Sequence, residues 1–205
     1  LVGSEMCIRD RSNIMETAIV AGGCFWCMEA IYRRLLGVEE VVSGFIGGNV
    51  IHPTYKQVCN EETGHAEAVQ ITFDPQLITY MEILEIFWQA HDPTSLNQQG
   101  DDIGIQYRSV IFYTSEAQHQ QALLSREQAQ KLYFEAPIVT EILPAMEFYP
   151  AQEDYHQNYY ENNTDRGYCI FSIAPKINKI HNLFNSKIKP QYQTIENENR
   201  TQKTL

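Results

Sequence analysis

Hydrophobic spacing along the chain changes period several times, and each change marks an element. Residues 16–21 form a short apolar run that reads as a strand, and Gly22-Gly23 break it. From Cys24 to about Leu35, apolar positions recur at three- and four-residue steps, with Met28, Ile31 and Leu35 on one face of a helix that Gly37 ends. Val38–Ile46 is β-branched and extended, closed by Gly47-Gly48. Residues 47–65 have no period and read as a long loop, a length more often functional than idle. Ala66–Phe73 alternates apolar and polar, as a half-buried strand does.

The second half continues in the same way. Thr79-x-x-Glu82 is a capping-box signature, and Met81, Ile83, Leu84, Phe87 and Trp88 follow it on an amphipathic helix. Residues 91–107 form a second loop, Ser109–Tyr113 a strand, 115–131 a mostly polar helix and 138–143 another strand. Residues 156–163 predict one more helical turn. Beyond Ile180 the chain turns rich in Asn, Gln, Lys and Thr, so 181–205 is expected to lie loosely as a polar tail.

From residue 16 to 113 the order is β-α-β-β-α-β, the split βαβ pattern. The fold class expected is α+β: a ferredoxin-like two-layer sandwich with an added C-terminal helix, strand and irregular segment. One catalytic domain is expected over 15–180, because 205 residues suffice for one domain with a real core. Residues 1–14 do not lead smoothly into the run that opens at Met15, and they read as a foreign or disordered extension.

Composition narrows the function. The apolar share is 43% and the net charge −11, which disfavours nucleic acid and anionic lipid as partners. No apolar run approaches the roughly 20 residues of a membrane span. The location expected is cytoplasmic and the state expected is a monomer. The cysteines are Cys7, Cys24, Cys27, Cys59 and Cys169, too few for a disulfide scaffold. Zinc usually needs paired ligands at short spacing, and none of His52, Cys59, His65, His91 or Cys169 forms such a pair. No metal is expected.

Chemistry concentrates in Gly22-Gly23-Cys24-Phe25-Trp26-Cys27, where a strand turns into a helix. The glycines permit a tight turn and close backbone approach. Cys24 falls at the helix start, where free amides and the positive dipole end favour a thiolate. A lowered pKa makes a thiol a nucleophile. Cys27 lies one turn on, placed to attack a sulfenic acid on Cys24. Glu67 shares the inward face of its strand with Val69, Ile71 and Phe73. There it either carries a proton near neutral pH or, as a strand-end residue, reaches solvent.

Gly22-Gly23-Cys24-Phe25-Trp26 resembles the active-site signature of the A-class peptide methionine sulfoxide reductases. Pro53-Thr54-Tyr55 with Val58-Cys59, and Thr63-Gly64-His65-Ala66-Glu67, resemble further blocks of that family. So do His91-Asp92-Pro93-Thr94 and Gln99-Gly100-Asp101-Asp102-x-Gly104-x-Gln106-Tyr107-Arg108-Ser109. Phe148-Tyr149 and Glu153-Asp154-Tyr155-His156-Gln157 complete the set, in order, over about 16–179.

The resemblance implies a ferredoxin-like α/β core and reduction of the S-epimer of methionine sulfoxide, free or in oxidised proteins. The two epimers need different enzymes. It implies Cys24 as nucleophile, Phe25 and Trp26 as the wall receiving the substrate methyl group, and Glu67 as the acid that protonates the sulfoxide oxygen. Tyr55, Asp102 and Tyr107 are implied to hold that oxygen. No bound cofactor is implied; thioredoxin, or dithiothreitol in vitro, is the reductant. Two departures stand out. Cys27 occupies a position that is glycine in many members, and Phe45-Ile46 stand where many have tyrosine and threonine. The resolving thiol is therefore Cys27 by proximity, or Cys169 in Gly167-Tyr168-Cys169, which resembles a C-terminal block. Other readings of Cys24-x-x-Cys27 are a thioredoxin-type disulfide oxidoreductase, a non-catalytic domain binding oxidised proteins, and a zinc module.

Overall fold

The computed structural model describes residues 14–152 and 154–193. Residues 1–13 of the extension expected over 1–14, and the tail beyond 193, lie outside them. Strand β1 (Glu16–Gly22) leads into helix α1 (Phe25–Tyr32), then strand β2 (Val38–Ile46), a short helix α2 (Tyr55–Cys59) and strand β3 (Ala66–Phe73). Helix α3 (Tyr80–Ala90), a two-residue hairpin pair β4 (Gln98–Gln99) and β5 (Asp102–Ile103), and strand β6 (Ser109–Tyr113) follow. Helix α4 (Glu116–Tyr133), strands β7 (Glu141–Pro144) and β8 (Tyr149–Pro150), and helices α5 (Tyr159–Asn162) and α6 (Ala174–Leu183) complete the chain.

Six strands form one sheet in the order β7-β6-β1-β3-β2-β8. β1 pairs antiparallel with both β3 and β6, and β3 pairs antiparallel with β2. α4 is the crossover that returns β7 parallel to β6. Alternation along the strands divides the core. Ala18, Val20, Val69 and Ile71 face α1, α3 and α6, whereas Ile19, Ala21, Ala66 and Ala68 face the opposite side, where Leu143, Ala145 and Phe148 cover them.

The helices are placed by polar ties as well as packing. Thr79 and Glu82 form the expected capping box at α3. Tyr32 donates to the Ile83 carbonyl at 2.9 Å, and Trp88 donates to Ser125 at 2.8 Å, so α1 and α3 each bury an aromatic whose polar tip is satisfied by the next helix, α3 and α4 in turn.

Three expectations change. The loop 47–65 contains α2, started by a capping box of Thr54 and Gln57. The C-terminal segment expected to be irregular forms a π turn (Cys169–Ile173) and then α6, with Pro175 in its first turn and Ile177 and Ile180 buried. The tail is packed as far as it is described. Ile188 is fully buried and bridges Leu35. Lys189 gives its backbone N–H to the Arg34 carbonyl at 2.8 Å and its ammonium to the Arg33 carbonyl at 2.9 Å, satisfying groups just past the end of α1. Arg34 in turn lies 4.7 Å from the Tyr192 ring centre. A polar composition concealed one apolar anchor and a run of backbone pairing.

Ile188→Ala should therefore destabilise the protein by about 2–5 kcal/mol, as large-to-small core changes do. Urea unfolding followed by circular dichroism measures it, and an unchanged midpoint would show that this segment does not contribute to the core.

Candidate active site

β1 ends on Gly22 and Gly23, and both glycines are needed there. Gly23 has φ +91, and a Cβ on it would stand 2.7 Å from the Gln99 side chain. Gln99 holds the loop after α3 closed: its amide oxygen accepts from Asp92 N–H at 2.9 Å, and its amide nitrogen donates to the Asp92 carbonyl at 2.6 Å. The tight turn leaves Cys24 as the N-cap residue of α1, buried. Its carbonyl accepts from Cys27 N–H at 3.1 Å and from Met28 N–H at 3.5 Å. This first turn is tightened toward 3₁₀ geometry, which keeps the two sulfurs on one side of the helix.

The next amide of that helix start meets β3. Phe25 N–H donates to Glu67 Oε2 at 3.1 Å, and the other carboxyl oxygen, Oε1, has no hydrogen-bond partner among the described residues. Glu67 is fully enclosed, 1% exposed, so it does not reach solvent. Its cross-strand neighbour is Phe45, itself buried and packed on Phe25 with ring centres 5.6 Å apart. Burial pushes the Glu67 carboxyl up to about 8; the Phe25 N–H opposes this, and Asp102 and Cys27 add to it. At neutral pH the group is a carboxylic acid.

An aromatic enclosure surrounds this floor. Tyr55, the first residue of α2, stacks on Phe25 at 6.3 Å. Trp26 lies flat on Tyr159 with centroids 3.7 Å apart and meets Tyr168 edge-on. Trp26 Nε1–H donates to His156 Nδ1 at 3.2 Å, and His156 packs against Phe25 and Tyr55. Tyr107 ends a 3₁₀ turn (Ile105–Tyr107) that Glu61 and Arg108 pin by accepting from Ile105 N–H and donating to the Ile105 carbonyl. Burial raises the Tyr55 and Tyr107 hydroxyls, with the nearby Glu67 charge next, so both are donors at neutral pH. Asp102, on β5, accepts from the Tyr168 hydroxyl at 2.8 Å.

The thiols differ from expectation. Burial pushes the Cys24 thiol well up, and the neighbouring Cys27 and Glu67 add to the effect. Cys27 is lowered to about 7, first because the Cys24 thiol hydrogen-bonds to it, with burial opposing and Lys176 and Tyr168 assisting. The easier thiolate of the pair is thus on Cys27, not at the helix cap. Desolvation outweighs the cap's attraction for negative charge. Cys169 opens the π turn, buried, and senses the Cys27 charge; it forms no disulfide.

Eight sequence-predicted residues therefore converge on one site: Cys24, Phe25, Trp26, Cys27, Tyr55, Glu67, Asp102 and Tyr107. Cys169 is placed at the start of the π turn, next to Tyr168 in the chain. Sequence reasoning gave no role to His156, Tyr168, Gln99 or Lys176. Three of these fall in quoted motif blocks, but their contacts join segments more than 60 residues apart or, for Gln99, close a loop without period. Among the described residues, no group of three or more His, Cys, Asp and Glu side chains is arranged to hold a metal ion.

Known proteins match this sequence and fold. The sequence profile described as peptide methionine sulfoxide reductase matches residues 16–188. The peptide methionine sulfoxide reductase MsrA of Acinetobacter baumannii strain AYE is 52% identical over 175 residues, spanning 85% of this chain and 99% of that protein. Among solved structures, the reduced form of Mxr1 from Saccharomyces cerevisiae superposes with a TM-score of 0.71 at 34% identity, covering 76% of this chain and 89% of that one. Mxr1 in complex with Trx2 superposes with a TM-score of 0.51 at 26% identity, covering 71% and 84%. A cysteine at a helix cap beside a neutral, buried carboxyl thus sits within a match that runs almost the whole described length, and the chain belongs to the peptide methionine sulfoxide reductase family.

Proposed function

We propose that this protein reduces the S-epimer of methionine sulfoxide, free or in oxidised proteins, and is recycled by thioredoxin. The observation that carries the reading is the Glu67 carboxyl, held neutral beside Cys24 with one oxygen unpartnered among the described residues. A sulfoxide is a poor electrophile until its oxygen is protonated, and Glu67 is an acid at the pH where the reaction must run. Phe25 and Trp26 offer an apolar wall to the substrate methyl group. Tyr55, Tyr107 and Asp102 line the polar side, where two phenols can stabilise charge on oxygen.

Cys24 attacks the sulfoxide sulfur, and its proton passes along its hydrogen bond to Cys27 or to solvent. Glu67 protonates the oxygen, which ends on Cys24 as a sulfenic acid while methionine leaves. Cys27, one tightened turn away, condenses with that sulfenic acid to a disulfide and water. Proximity favours Cys27 over Cys169 as the resolving thiol. An external dithiol then reduces the disulfide. The structural likeness to a protein solved with Trx2 supports thioredoxin in that role.

With a dithiol, the separated S-sulfoxide should be turned over and the R-sulfoxide left largely untouched. Equal turnover of both epimers, or of neither, would sink the assignment.

Glu67→Gln should slow single-turnover reduction about a hundred- to ten-thousand-fold, the usual worth of general acid help. Its effect on stability has a defined sign. The folded value, about 8, lies above the ordinary 4.5, so the folded state holds a proton that the unfolded chain releases. That contribution is complete below pH 4.5 and is lost as pH rises through 8. Denaturation midpoints of Glu67→Gln should fall less steeply than wild type across this window, and parallel curves would contradict a neutral Glu67.

Peptide mapping after one equivalent of sulfoxide, without reductant, should find a Cys24–Cys27 bridge, and Cys24→Ser should form none. A dominant Cys24–Cys169 bridge would transfer the resolving role to Cys169.

A further inference from the structure

Lys176 belongs to none of the motifs that identify the family, yet it touches one of the two paired thiols, Cys27. It stands in the first turn of α6, one residue after Pro175, and its Nζ comes within 3.8 Å of Cys27 Sγ. Buried Ile177 and Ile180 anchor α6 in the core that it shares with α1. Among the described residues, no carboxylate pairs with the Lys176 ammonium; the Cys27 sulfur is its hydrogen-bond partner. Lys176 also lines a cavity of about 550 Å³ with Asp102, Tyr168 and Lys179, so the ammonium keeps contact with solvent.

The other groups facing Cys27 come from four elements. Cys24 lies at the helix cap, Glu67 on β3 and Asp102 on β5. Tyr168, its hydroxyl 4.0 Å from the sulfur, and Cys169 begin the C-terminal turn. Glu67 and Asp102 bring acids, Tyr168 a neutral donor, and the remaining two are thiols. Lys176 is the cation of the set.

We propose that Lys176 is a catalytic residue of disulfide closure, its ammonium stabilising the Cys27 thiolate that attacks the Cys24 sulfenic acid. This rests on Cys27 being the resolving thiol. In the step, a Cys27 sulfur lone pair forms the S–S bond and the Cys24 S–O bond breaks with its electron pair. The departing hydroxide takes up a proton equivalent to the one Cys27 released, and leaves as water. Cys27 sulfur is oxidised and Cys24 sulfur reduced, so no further oxidant or reductant enters. The same ammonium favours Cys27 as leaving group when a reductant later attacks Cys24, because a more acidic thiol leaves faster.

The test is rapid quench of the reduced protein with one equivalent of methionine sulfoxide, following methionine release and disulfide formation in the same samples. A carbon nucleophile that traps sulfenic acid reports the interval between them. In Lys176→Met, closure near pH 6.5 should lag behind methionine release about tenfold more than in wild type, the effect of roughly one unit in thiol pKa. The lag should shrink as pH rises, and Lys176→Arg should restore most of the rate, because it keeps the charge. Closure in Lys176→Met with the wild-type rate and pH profile would overturn the proposal. So would a pH-independent slowing that arginine does not rescue, since that marks a packing role. Cys27→Ser separates the two readings: closure at the wild-type rate in that variant removes Cys27 as resolving thiol, and the role of Lys176 with it. Failure of closure there, with normal closure in Lys176→Met, removes Lys176 alone.

Discussion

The hydrogen bond from Phe25 N–H to Glu67 Oε2 joins the two parts of the protein on which the chemistry depends. A helix start leaves its first amides without partners, and a buried carboxyl needs a donor. Each supplies what the other lacks. The bond fixes the start of α1 over the middle of the sheet, and so fixes Cys24 beside Glu67. It is also a single bond to one oxygen. A carboxylate given several donors would be held ionised, whereas one donor within an apolar surround leaves burial dominant. Phe45, opposite Glu67 on β2, completes that surround.

The second half of the same helix is held by another buried carboxyl. Glu29, on α1, accepts from Asn158 N–H with both oxygens at 3.0 Å and pairs with Arg33 at 3.2 Å. Asn158 has φ +57, a left-handed conformation that asparagine tolerates better than most residues. This tie brings His156 against Trp26, Phe25 and Tyr55. The aromatic enclosure is thus built from α1, α2, the 3₁₀ turn that ends on Tyr107, the segment from His156 into α5, and Tyr168. No one of them encloses the site alone.

Much of this was legible in the sequence for a physical reason. Period-two alternation in Ala66–Phe73 put Glu67 among Val69, Ile71 and Phe73, and the register leaves it facing the helices. Gly22-Gly23 before Cys24 marked a turn into a helix cap, and Gln99 packed on Gly23 explains why a side chain does not fit there. What was not legible depends on distant partners. The expectation of a thiolate at Cys24 used a local rule, the attraction of a helix start for negative charge. Burial overrides it, with Cys27 and Glu67 adding to the effect, and Glu67 on β3 lies far off in sequence. α6 was hidden by its polar residues, although Ile173, Ile177 and Ile180 keep helical spacing. The tail beyond Ile180 was misread because composition does not register a single buried isoleucine.

The departure at Cys27 changes the charge pattern of the whole site. Two sulfurs in one tightened turn cannot both ionise beside a buried carboxyl, since each negative charge raises the cost of the next. The arrangement resolves this by position. The Cys24 thiol keeps its proton and hydrogen-bonds through it to Cys27, the Cys27 charge helps hold Glu67 protonated, and on the proposed mechanism the two stand where an incoming sulfoxide would meet a nucleophile and an acid. A glycine at residue 27 would remove the acceptor of the Cys24 proton and the smallest of the influences that, after burial and Asp102, keep Glu67 neutral. On the proposed mechanism Cys27 therefore acts before any disulfide forms, by deciding where the first negative charge in the site resides.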